Sequence, residues 1–137
     1  MTSSRIIIKD RKMIYCSLYI HHDGYVKGVG QDLLHFLDGM KIVNGLSCTD
    51  GDKVANGLDD LAAQLVMAFK TDAGNVYLQG ETEDLEDYTY IISLAKKQNS
   101  RSVGKLNIKV FEYEKEVFSG NIKEYSKFVK KHGRVSD

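Results

Sequence analysis

From Ile14 to His21 apolar and polar positions alternate: Ile14, Cys16, Leu18 and Ile20 interleave with Tyr15, Ser17, Tyr19 and His21. A period of two is that of a strand with one buried face, and the first set is expected to point inward. The preceding "RIIIK" reads as a second strand, joined to the first by the polar turn Lys9–Lys12. In "QDLLHFLDGM", Leu33, Leu34, Phe36 and Leu37 predict a short helix ended by Gly39. A longer helix is predicted from Leu58, Leu61, Ala62, Leu65, Val66 and Phe69, which form one continuous apolar stripe. Asn56 is its expected N-cap, with Asp59 and Asp60 suited to the positive helix start. Between the two helices, "KIVNGLSCTDGDKVANG" is polar and rich in turn residues, and reads as a loop or a broken helix.

The second half reads mainly as strands: "NVYLQG", "DYTYIISLA", "GKLNIKVFEYE" and "KEVFSG", with the basic loop "KKQNSRSV" between the second and third. "NIKEYSKFVKKHG" predicts a closing helix with Ile122, Tyr125, Phe128 and Val129 on one face, capped by Asn121 and ended by Gly133. The order is then β-β-α-α-β-β-β-β-α. Neighbouring strands with short connections favour antiparallel pairing. The expected fold class is α+β: a single, mainly antiparallel sheet with about three helices packed mostly on one face, residues 1–137 forming one domain.

Charge narrows the choice of partner. Lys and Arg number 19, Asp and Glu 19, so the net charge is zero and no long-range field for gripping nucleic acid is implied. No apolar run approaches the ~18 residues of a transmembrane helix, and the N-terminus lacks the apolar stretch of a signal peptide, so neither is expected. Cys16 and Cys48 follow no disulfide or metal pattern, which fits a reducing, cytoplasmic setting.

The candidate chemistry gathers in "HHDGYVKGVG", between a strand and a helix. Gly28 and Gly30 precede a helix start, where backbone N–H groups and the helix dipole favour an anion. Lys27 adds a positive charge, and Tyr25 and His22 add flat faces and hydrogen bonds. The set suits a phosphate or a nucleotide-like ligand. The alternative is a plain strand-to-helix turn whose glycines take positive φ. His21 and Asp23 could share a strand face as metal ligands, with His35 or His132 as a third, but no metal-binding motif is present, and no metal or other cofactor is expected. Cys16 lies on the inward face, where a thiol is usually inert. "ETEDLED", with five acids in seven residues, reads as a solvated loop. Lys123, Lys127, Lys130 and Lys131 of the closing helix read as dipole partners and solvated surface rather than nucleic-acid contacts. The tyrosines of "YTY" and "FEY" read mostly as sheet packing.

These motifs resemble a family of small tailed-phage proteins of unassigned function marked by an H-W-D-G-Y-P pattern. The resembling segments are "HHDGYVKGVGQDLLHFL", "VNG" at Val43–Gly45, "NGLDDLAAQLV" from Asn56, "GNVYL" from Gly74, and "DYTYII". His22 stands where the family has tryptophan, and Val26 where it has proline. The resemblance implies a phage or prophage origin and a host-cytoplasmic setting, and supplies no activity. Three functions are open. One is a binding protein that sequesters a host factor or a nucleotide-like immune signal. Another is an enzyme on a phosphate ester, using His21, His22 or Asp23 as base or metal ligand. The third is an interaction module with no small ligand. The site residues expected for the first are His21, His22, Asp23, Tyr25, Lys27, Gly28 and Gly30, with Asn44 and Asn56 in the asparagine-glycine segments. A homodimer through an exposed sheet edge is compatible with all three.

Overall fold

The computed structural model of the chain describes residues 1–95 and 104–132. Strands β1 (Ser4–Lys9) and β2 (Ile14–Ile20) form the predicted antiparallel hairpin. Asp10 shapes its turn by accepting the Lys12 and Met13 amides. A bulge shifts the register so that Ile8 pairs with Cys16 but Lys9 with Ile14. Tyr15 is the extra residue, and it packs against the core while Ile14 is only half-buried. The expected alternation therefore holds from Cys16 to Ile20 and breaks at the bulge, as an inserted residue must reverse the side-chain sense.

After one turn of π-helix (Val26–Gly30) the chain runs directly into helix α1 (Gln31–Leu37). The segment expected as a loop or broken helix contains two short strands instead, β3 (Lys41–Val43) and β4 (Val54–Asn56). They pair in parallel as a second small sheet, which corrects the single-sheet expectation. Ile42, Val43 and Ala55 are buried, so three apolar residues among many polar ones are enough to hold the pair against the core. Helix α2 (Gly57–Phe69) follows, burying Leu58, Leu61, Ala62 and Leu65 along its predicted stripe. Asn56 sits at its N-cap position, but its side chain caps nothing there. Its Oδ1 accepts the Gly45 amide, and the Asp60 carboxylate accepts the Asn56 amide. Asp60 reaches back because Asn56 is already committed to the small sheet.

Strands β5 (Val76–Leu78), β6 (Tyr88–Leu94), β7 (Leu106–Glu112) and β8 (Lys115–Asn121) complete the main sheet, in the order β5-β2-β1-β6-β7-β8. All its pairs are antiparallel except β1 with β6. Helix α3 (Ile122–Lys131) starts with a full capping box between Asn121 and Glu124. The expected stop at Gly133 and the loop "KKQNSRSV" lie outside the described residues.

All three helices cover one sheet face. Ile6, Ile8, Leu18, Tyr90, Ile92, Ile108 and Val110 join Leu33, Leu37, Leu61, Leu65, Tyr125 and Val129 in one apolar cluster. The other face is closed at β1 and β2 by the acidic loop. Arg5, only 3% exposed, donates to the Asp84 carbonyl, to Ser17 Oγ and to the Glu86 carboxylate at 3.1 Å. Ser17 in turn donates to the Thr82 carbonyl. The run expected to be solvated is exposed along much of its length, but it also neutralises a buried guanidinium and satisfies its donors.

Candidate functional site

The opening loop lies at the end of the sheet where β1 and β6 begin. The Gly24 amide donates to the Thr2 carbonyl, and two buried tyrosines hold the loop from below. Tyr90 of β6 donates to the Gly24 carbonyl at 2.8 Å, and Tyr125 of α3 donates to the Gly30 carbonyl at 2.7 Å. Burial pushes both phenols above their ordinary range, and the neighbouring Tyr125 raises Tyr90 further. Val26 and Val29 anchor the turn in the core.

None of the three glycines at 24, 28 and 30 takes positive φ; Asp23 does, at 59°. The glycines are there for lack of a Cβ. At Gly28 a Cβ would collide with the Asp23 carbonyl oxygen, and at Gly30 it would stand 3.0 Å from the Tyr90 hydroxyl and 3.2 Å from that of Tyr125. The amides expected to cradle an anion are turned inward: Gly28 and Gly30 donate to the Tyr25 carbonyl and Val29 to that of Asp23. Helix α1 has seven residues, and its start continues the π-turn without opening a set of free donors. The Gly28, Val29 and Gly30 amides are therefore committed within the turn itself.

The side chains of the loop divide. His22 and Asp23 are exposed, and the Tyr25 hydroxyl donates to Asp23 Oδ1 at 3.1 Å. Lys27 is half-buried. His21 turns toward the opposite sheet face, its Nδ1 2.8 Å from the Tyr19 hydroxyl and its ring edge-on to His22. Tyr77 of the edge strand β5 continues this row of rings beside Tyr19. Among the described residues no three of His, Cys, Asp and Glu converge as metal ligands. Cys16 is buried, which raises its thiol to about 11, and Cys48 is exposed; both are free.

Asn44, just after β3, and Asn56, the last residue of β4, are both exposed. Asp59, beside Asn56 at the start of α2, acts on the Tyr15 phenol near the β1–β2 turn, at the far end of β2 from His21.

A cavity of about 360 Å³ opens elsewhere, where the C-terminal end of α1 and β3 meet the starts of β7 and α3. One wall carries Leu37, Met40, Lys41 and Ile42, the other Lys105, Asn121 and Lys123. The second wall follows from strand register: Asn107 pairs with Asn121, so Lys105, just before β7, and Lys123, in the first turn of α3, come to border the same cavity. Among the described residues no carboxylate lines the cavity. Lys41 lies 3.5 Å from Asp50, whereas Lys105 and Lys123 have no acidic partner among the described residues. The capping box at Asn121 uses the Glu124 amide, and Ile122 and Lys123 of the same first turn border the cavity. Sequence reasoning missed this cavity. Asn121 was legible as a helix cap, but Lys41, Lys105 and Lys123 lie far apart in the chain and become neighbours only through the topology.

Compared with protein-family models, with curated proteins and with solved structures, the chain matches none.

Proposed function

We propose that the chain is a non-catalytic binding protein that takes up a phosphate-bearing, nucleotide-like small molecule. The observation that supports this most is the cavity with three lysines and, among the described residues, no carboxylate in its lining, in a protein whose charges balance overall. Lysine at a concave, partly apolar site recognises phosphate as a point charge, and apolar neighbours strengthen that attraction by lowering the local dielectric. In an accessory protein of phage or prophage origin, the role that the motif resemblance implies, such binding would withdraw a nucleotide-like immune signal from the host cytoplasm. A second reading, a host protein as partner, draws on the row of rings Tyr77, Tyr19, His21 and His22 at the sheet edge.

The test is mass spectrometry of small molecules released when the purified protein is denatured, run on three forms. The native chain should release a phosphate-bearing compound, and so should the Tyr25→Ala, Lys27→Ala double variant. The Lys105→Gln, Lys123→Gln double variant should release little or none. Release lost only with the Tyr25 and Lys27 changes would return the site to the opening loop.

A further inference from the structure

We infer that the cavity is built for a phosphate monoester the size of a single nucleotide, held by its terminal phosphate at Lys105 and Lys123 and by its organic body on the α1–β3 wall. The inference rests on the cavity being the ligand site and adds the ligand's chemical class. Three features of the two walls carry it.

The first is charge. Lys41 is already engaged by Asp50, so the cavity offers two ammonium groups, Lys105 and Lys123, that have no acidic partner among the described residues. A terminal phosphate carries about 1.5 to 2 negative charges at neutral pH and three acceptor oxygens, and so can engage both. A phosphodiester carries one charge and would leave one lysine unmatched.

The second is the apolar wall. Half-buried Met40 borders the cavity, backed by Leu37 and Ile42, which are already almost fully buried, and half-buried Ile122 borders it from the other side. Inorganic phosphate would leave Met40 and Ile122 partly exposed, whereas an organic body would cover them, at about 25 cal/mol for each Å² removed from water.

The third is size. About 360 Å³ lies near the lower end of the roughly 300–1,000 Å³ typical of small-molecule sites. One nucleotide suits that space better than a cyclic or linear oligonucleotide.

The experiment is isothermal titration of the full chain at low salt and neutral pH. The probes are the four nucleoside 5′-monophosphates, their nucleosides, 3′,5′-cyclic AMP and inorganic phosphate. At least one 5′-monophosphate should bind about tenfold or more tightly than its nucleoside, than the cyclic phosphate and than inorganic phosphate. Lys105→Gln and Lys123→Gln, both on exposed positions, should each weaken it about tenfold, the scale of one charge-assisted hydrogen bond. If cyclic AMP or inorganic phosphate binds as tightly and with the same lysine dependence, the monoester class is wrong while the anion site stands. If no phosphate compound binds, or if both lysine variants bind as the parent does, the site itself is overturned.

Discussion

Gly28 shows how one residue can be read correctly as special and for the wrong reason. Its place in "HHDGYVKGVG" marks a point where a side chain is not tolerated, and the sequence points to positive φ or to a ligand approaching the backbone. The structure gives a third cause, the Asp23 carbonyl occupying the space a Cβ would take. Gly28→Ala is therefore expected to destabilise the protein by about 1–3 kcal/mol, the usual cost of overpacking, measurable by urea unfolding. An alanine variant as stable as the parent would mean that the turn relaxes freely. Asp23, not a glycine, takes the left-handed backbone, consistent with the tolerance of aspartate for that region. The two tyrosines that fix this loop were legible as sheet and helix residues. Their hydroxyl partners, Gly24 and Gly30, were not, because those bonds join residues 66 and 95 positions apart.

At the scale of elements, periodicity carried the long segments and failed on the short ones. The stripe of α2 is buried as its spacing requires, with Leu65 fully buried. Leu65→Ala should cost about 2–5 kcal/mol, read as a fall in the urea midpoint with little change in slope. A midpoint like the parent's would place the helix outside the core. β3 and β4 have three residues each, too few for a period to register against a background of Asn, Asp, Ser and Gly. Their parallel pairing is set by contacts with the core that the segment itself does not announce. The bulge at Tyr15 and the back-reach of Asp60 onto Asn56 are of the same kind: each is a local adjustment to a neighbour distant in sequence or already committed elsewhere.

At the scale of the molecule, the α+β architecture, the antiparallel majority of the sheet and the one-sided helices all follow from the order of elements. The single parallel pair, β1 with β6, does not, and it is the step that places the β6–β7–β8 meander beside the hairpin. That placement buries Tyr90 and Tyr125 around the opening loop, and it gives the whole fold a pH dependence. Both phenols are raised by burial, whereas in the unfolded chain they ionise near pH 10. Above that pH the unfolded state binds fewer protons than the folded one, so stability is fully present below about pH 10 and falls as pH rises further. Unfolding midpoints measured from pH 8 to 11 should be flat and then decline, and Tyr125→Phe should blunt the decline while lowering the plateau. A slope unchanged in that variant would mean that the Tyr125 hydroxyl is not held as described. The same topology makes the lysine cavity, whose two walls come from segments far apart in the chain. The most direct test of that cavity as the binding site is a titration of the isotope-labelled protein with nucleoside 5′-monophosphates, followed by amide chemical shifts. The shifts should concentrate at Lys41, Ile42, Lys105, Ile122 and Lys123. Shifts concentrated instead at His22, Asp23, Tyr25 and Lys27, or no shifts at all, would contradict it.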